Sequence, residues 1–369
     1  MATKKKMLQA AAGNAVGGGG LNVEDVFSTY LYTGTGAAQT ITNGIDLDGE
    51  GGLVWVKNRD TTDFHHLCDT ERGSGKIIAS NDTTGQVTNN NTISGFSSSG
   101  FSLGSDTAVS TNSEDYASWT FRKAPKFFDV VTYTGNGSNQ IINHNLGSDV
   151  GAIIIKRTDS TSDWYFSHRY DFGGKMLKLN STGAAYVSGI TVTDTTFRVF
   201  GSAGLTLNNV SGATYVAYLF AHNDGDGEFG PDGDQDIIKC GSYTGNGSSD
   251  GPEIDLGFEP QWVMIKRTDS TSSWFMFDNM RGIATGGNDM RLYANASAAE
   301  YTTLSYMKLL PNGFAPEDNT AFNASGGSYI YIAIRRGTKV PESGTEVFAV
   351  DTADGSTLPQ YKSGFVTDM

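Results

Sequence analysis

The chain has 369 residues, 38% apolar and 18% charged, with 47 glycines and a formal net charge of −14. The negative balance argues against nucleic-acid binding through a basic face, and the apolar content excludes a disordered chain. No apolar run approaches the ~18 residues of a membrane-spanning helix, so no membrane insertion is expected.

Two cysteines, Cys68 and Cys240, stand at non-equivalent places, which rules out a disulfide scaffold and fits assembly in a reducing cytosol. The N-terminus is basic (Lys4-Lys5-Lys6), but Gln9, Gly13 and Asn14 interrupt its apolar stretch, so a signal peptide is rejected. Residues 1–24 read as an arm, either a frayed tail or a segment that docks on a partner.

Three markers then recur in one order. The first is Tyr32-Thr33-Gly34-Thr35-Gly36, again at Tyr133-Thr134-Gly135-Asn136-Gly137 and Tyr243-Thr244-Gly245-Asn246-Gly247. The second is an apolar run ending in lysine at Lys57, Lys156 and Lys266. The third is an aromatic strand starting at Tyr116, Tyr215 and Tyr329. A spacing of about a hundred residues suits a complete globular domain, not a solenoid unit.

Repeat one covers residues 25–124. It opens with a strand from Phe27 to Tyr32 and reaches Val54-Trp55-Val56-Lys57, whose composition predicts burial on both faces. The polar turn 60–63 and the return from Phe64 to Asp69 make a hairpin. Repeat two covers residues 125–224. It repeats that hairpin from Ile153 to Phe166, followed by strands at Lys175–Leu179, Phe197–Phe200 and Tyr215–Phe220. Residues 225–235 form an acidic linker, residues 236–337 form repeat three, and residues 338–369 are a C-terminal extension. Residues 296–300 could make one helical turn, and no longer 3.6-residue period occurs. The final stretch Gly364–Met369 reads as the start of a strand, so a longer chain is expected. Many short strands and glycine-rich turns define an all-β protein: three tandem antiparallel β-sandwiches, jelly-roll or lectin-like in order.

Few residues suggest chemistry. Asp224, Asp226, Asp232 and Asp234 alternate with glycine as in calcium loops, but Phe229 stands where an EF-hand needs glycine, leaving calcium a weak candidate against a solvated linker. His65, His66, Cys68, Asp69 and Glu71 cluster in sequence. Strand alternation splits them, with His66 and Cys68 on one face and His65 and Asp69 on the other. The motif Asp-x-x-Arg-Gly at residues 69–73 and 278–282 reads as an ion pair bracing a turn. Trp164 and Trp274 follow polar turns and are candidates for stacking on a sugar, against the plainer reading of core residues. No carboxylate pair or Ser/His/Asp set repeats, so no enzyme is expected.

The opening residues 1–15, the Tyr-Thr-Gly-Asn-Gly units, the Ile-Lys-Arg-Thr-Asp-Ser-Thr hairpins and the close Tyr-Ile-Ala-Ile-Arg-Arg-Gly resemble virion proteins of tailed bacteriophages, notably marine and cyanobacterial ones. The resemblance covers nearly the whole chain. It implies a tail fibre or tail appendage with repeated lectin-like domains, assembled in the host cytoplasm and docked to other tail proteins by its arm. It also implies a homotrimer. A carbohydrate-binding adhesin that grips a host surface glycan and a capsid decoration protein are the alternatives.

Overall fold

The computed structural model describes residues 20–337 apart from 188, 202–205, 284–286 and 318–320. Residues 1–19 of the arm and the extension 338–369 lie outside the described residues.

Repeat one contains β1 (Phe27–Thr33), β2 (Gln39–Thr42), β3 (Gly52–Asn58), β4 (His66–Asp69), β5 (Lys76–Ala79), β6 (Val87–Thr88), β7 (Ile93–Ser97), β8 (Gly100–Leu103) and β9 (Asp115–Arg122). Repeat two follows with β10 (Phe128–Thr134), β11 (Gln140–Asn143), β12 (Val150–Arg157), β13 (Trp164–His168), β14 (Lys175–Lys178), β15 (Tyr186–Val187), β16 (Thr191–Val192), β17 (Thr196–Val199) and β18 (Thr214–Ala221). Repeat three has β19 (Ile238–Thr244), β20 (Ile254–Asp255), β21 (Pro260–Arg267), β22 (Trp274–Asp278), β23 (Leu292–Tyr293), β24 (Met307–Leu310), β25 (Gly313–Pro316) and β26 (Ser328–Arg335).

Each repeat is a large sheet faced by a three-stranded one. The orders are β1-β9-β3-β4-β5-β6 with β2-β8-β7, β10-β18-β12-β13-β14-β15 with β11-β17-β16, and β19-β26-β21-β22-β23 with β20-β25-β24. First pairs with last and second with next-to-last, as in a rolled hairpin, while β3 to β6 run on as a meander. All strand pairs are antiparallel, so the all-β sandwich reading stands.

The recurring Tyr-Thr-Gly motif is a clamp that closes each sandwich. Tyr32 stacks on Tyr116 at 5.1 Å, Tyr133 on Tyr215 at 5.0 Å and Tyr243 on Tyr329 at 4.9 Å. The first hydroxyl of each pair donates to Val109 O, Asn208 O or Phe322 O. The second accepts from Thr111, Val210 or Ala324 N–H. Both glycines are forced. A Cβ on Gly34, Gly135 or Gly245 would strike the carbonyl oxygen of that same acceptor loop. Gly36, Gly137 and Gly247 take φ of +70°, +71° and +73°, where only glycine rests without strain.

Burial on both faces of β3 is observed, and it has a physical reason. One face of the strand meets the repeat's own small sheet: Val54 and Val56 pack with Ile41, Phe101 and Leu103. The other face points to a core that all three repeats share. Trp55 and Trp119, Ile154 and Phe166, and Met264 and Met276 belong to one continuous apolar cluster. Phe121, Phe220 and Trp262, one from each repeat, meet there at centroid distances of 5.6 and 5.8 Å. The three copies are distinct as sheets and share this inner core, while repeats one and three each keep an outer core of their own between their two sheets.

A ring of backbone latches closes the triangle. The loop after the fifth strand of each repeat bonds the central hairpin of the next. Ser162 N–H donates to Thr83 O and Gln86 N–H to Thr158 O. Ser272 N–H donates to Thr182 O and Ala185 N–H to Thr268 O. Asp63 N–H then donates to Ser297 O and Glu300 N–H to Arg59 O, returning from repeat three to repeat one. Residues 296–300 are therefore a latch and not the helical turn expected. Their backbone groups are committed to a neighbouring sheet, which overrides alanine's helix preference.

The acidic stretch between repeats two and three is a packed loop, not a solvated tether. Phe229 is buried against Phe127 and bridges Leu21, and Asp236 accepts the Gly225 and Gly227 N–H groups at 2.8 and 3.0 Å. From the expected arm, Val23 also enters the shared core.

A shared interior means the repeats fold together. The described body is expected to melt in one calorimetric transition. A fragment of residues 125–224 alone is expected to show none, because its inner face would expose Trp164 and Phe166 to water. An independent transition in that fragment would refute this reading.

Candidate functional site

Trp164 and Trp274 do not lie at the surface. They are 0% and 1% exposed, so the sugar-stacking expectation is corrected. Each fills the shared core and points its indole N–H across a repeat border. Trp164 Nε1 donates to Ala79 O at 2.7 Å, and Trp274 Nε1 to Lys178 O at 3.0 Å. The backbone N–H of each is held by an asparagine of its own repeat, Asn180 or Asn295. Asn81 does the same for His65. The plainer reading of both as core residues holds: the turn is wet, but the residue after it turns inward.

His65 occupies the position of these tryptophans, since Val56 pairs with His66 where Ile155 and Ile265 pair with Tyr165 and Phe275. Its smaller ring is complemented by Trp55, whose counterparts are Ile154 and Met264, and Trp55 Nε1 donates to His65 Nδ1 at 2.9 Å. The bulk has moved from one strand to its neighbour. Burial, reinforced by Lys57, holds the His65 pKa well below its ordinary value.

The expected split of the cluster is observed. His65 and Asp69 face the shared core, whereas Cys68 lies in the outer core of repeat one and His66 lines an outer cleft. Glu71 lies apart, paired with Lys123. Burial pushes the Cys68 thiol up to about 12, so it is no nucleophile at neutral pH.

The Asp-x-x-Arg-Gly turns are braced as expected, and they also reach across the borders. Asp69 Oδ2 accepts Arg72 Nε at 2.6 Å and the Tyr218 hydroxyl of repeat two at 2.7 Å. Asp278 Oδ2 accepts Arg281 Nε at 2.6 Å and Trp119 Nε1 of repeat one at 3.0 Å. Arg281 continues to Glu300, which also binds Arg59. The third corner is neutral: His168 stands at the aspartate position, with Nε2 3.2 Å from Tyr331 O. Burial pulls its pKa down to about 3.

Sequence reading treated the lysines only as markers. Lys57, Lys156 and Lys266 are all 0% exposed. Lys156 Nζ donates to Thr83 O and Ser162 O, and Lys266 Nζ to Thr182 O and Ser272 O. Lys57 Nζ donates to Asn58 O and Thr61 O within its own hairpin. Burial lowers each to about 8, so the carbonyls face an ammonium at neutral pH. A lysine closing a doubly buried apolar strand is the signal that would have found them.

Asp224, Asp226, Asp232 and Asp234 are all exposed. Asp226 accepts the Asp224 N–H, and Lys239 reaches Asp224 at 3.4 Å. Among the described residues no group of three His, Cys, Asp or Glu side chains is placed to hold a metal. The carboxylate that organises the loop is Asp236. Burial would raise its pKa, but the Gly225 and Gly227 N–H groups and Lys239 outweigh that and hold it low.

Fold and site together define a closed, pseudo-threefold ring of β-sandwiches in which several buried polar side chains join one repeat to the next. The chain belongs to the family described as a domain of unknown function, DUF7483, whose model matches residues 22–336. That span covers all three repeats, in keeping with their shared inner core. No curated protein matches the chain.

Two measurements check these assignments. Trp274→Ala is expected to lower the unfolding free energy by about 3–5 kcal/mol in urea titration, the usual cost of emptying a buried tryptophan site. Unchanged stability would return Trp274 to the surface.

The second concerns pH. Folded His168 stays neutral down to about 3, while its ordinary value is 6.5. Between these values the unfolded chain binds a proton that the folded chain refuses, so stability falls as pH falls below 6.5. From there to about pH 5 the loss at this site is roughly 2 kcal/mol. His168→Gln is expected to remove this site's share of the slope, burial lowering His65, His144 and His222 in the same direction, and an unchanged slope would show that His168 contributes none of it.

Proposed function

We propose that this chain is a structural protein of a virion, a tail fibre or tail appendage that carries a rigid body and acts by shape instead of by catalysis. The closed latch ring carries this reading. Three sandwiches are fastened edge to edge within one chain, and the buried aspartates, lysines and histidines at the borders serve the joints. Such a body resists bending and shear, which a particle appendage needs and a solution enzyme does not. The resemblance of the Tyr-Thr-Gly and Ile-Lys-Arg-Thr-Asp-Ser-Thr units to phage virion proteins supplies the setting. The N-terminal arm would dock on other tail proteins. A homotrimer would use surfaces other than the latches, because those are satisfied inside each chain.

Gold-labelled antibody against this protein is expected to decorate the tails of intact particles, and light scattering to give three times the chain mass of 39.3 kDa. Label on heads would favour capsid decoration, and protein absent from purified particles would end the proposal. A single-chain mass would remove only the trimer.

A further inference from the structure

Repeat three fills the space between its two sheets with four aromatic rings in mutual contact. Phe275 lies 5.0 Å from Tyr293, 5.9 Å from Tyr306 and 5.3 Å from Phe322, and Tyr306 lies 5.4 Å from Phe322. Strand register identifies the same four positions in repeat one. Phe275 pairs with Tyr293 as His66 pairs with Ala79. Tyr306 precedes the pair Met307–Pro316 as Thr92 precedes Ile93–Leu103. Phe322 O accepts the clamp tyrosine as Val109 O does. All four rings are thus replaced by smaller side chains.

The consequence is a cleft of about 320 Å³, lined by His66, Ala79 and Thr92 with Ile77, Val87 and Phe64. That volume falls at the lower end for small-molecule sites. Phe64 and Val87 stand at its mouth, 46% and 52% exposed. Nearby polar groups are largely committed elsewhere: Asp106 accepts from Asn89 and Ala108, and Thr92 donates to Asn89 O. His66 differs. Neither ring nitrogen has a hydrogen-bond partner among the described residues; both are turned away from solvent, and Asp63 stands at 3.6 Å, beyond hydrogen-bond distance but within ion-pair reach of a protonated imidazole. An unmet polar group in an apolar cleft costs free energy that a matching ligand recovers.

We infer that the outer cleft of repeat one is a binding site for a small hydroxylated aromatic molecule, a phenol. Its ring takes the place of the missing side chains, and its hydroxyl meets His66 once the imidazole turns a ring nitrogen into the cleft. The apolar walls supply affinity and the histidine selects the hydroxyl. Repeat three, with the space filled by its own rings, does not bind. This site is independent of the proposed place in a virion.

The test uses the full chain, with p-cresol, toluene and glucose as probes in ligand-observed and imidazole-resolved NMR titrations. p-Cresol is expected to bind at millimolar concentration or below and to shift the His66 ring signals. Toluene is expected to bind roughly tenfold more weakly, the effect of one lost hydrogen bond. Ala79→Tyr restores the residue type of repeat three and is expected to abolish binding while leaving the protein folded. Should that variant fail to fold, Thr92→Tyr gives the same readout from the opposite wall. His66→Leu is expected to erase the preference for p-cresol over toluene. No p-cresol binding, binding unchanged by both filling variants, or glucose binding more tightly than p-cresol would overturn the assignment.

Discussion

The structure depends on one constraint: the inner faces of three sheets must be covered, and only the other two sheets can cover them. A single sandwich of this kind buries the outer side of its central strand against its own small sheet and leaves the inner side bare. Trp55 and Trp119 in repeat one, and their counterparts in the other copies, form a surface that water would penalise at about 25 cal/mol per Å². Three such surfaces meeting at one axis remove the penalty together. The latches follow from this, because bringing the inner faces together places each hairpin beside the preceding repeat's fifth-strand loop, with backbone groups that must then find partners.

The buried lysines belong to the same constraint. The hairpin turns carry carbonyl oxygens into a region sealed from solvent. In repeats two and three, one ammonium satisfies a carbonyl of its own turn and one of the neighbour's loop. Their depressed pKa values record the cost of keeping a charge there. At two corners an aspartate–arginine pair repeats this logic, and at the third a neutral histidine replaces it. Removing one member of a buried pair is costly, whereas changing the whole set together need not be. The three corners show both solutions in one molecule.

Internal repetition also exposes where the copies diverge and why. The exchange of Trp55 and His65 for Ile154 and Trp164 conserves volume across two adjacent strands, so it is a packing change. Of the four ring positions lost between the sheets of repeat one, those at His66, Ala79 and Thr92 border open space, which sets them apart from drift in a well-packed core. That contrast separates a volume-conserving exchange from one that opens space, without any comparison outside the chain.

Much of the fold was legible in the linear chain. Short apolar strands, glycine-rich turns and three markers in fixed order determined the sandwich class, the number of copies and the central hairpin, because these are local properties of strands and turns. The aspartate–arginine turns were legible for the same reason. What tertiary structure alone decided was the direction each strand face looks. A tryptophan after a wet turn reads as exposed until a neighbouring sheet is placed over it, as with Trp164 and Trp274. Residues 296–300 favour a helical turn until their backbone groups pair with another repeat. Closure of the ring, the shared interior and the cleft beside His66 arise from contacts between segments far apart in sequence, and no local pattern encodes those distances.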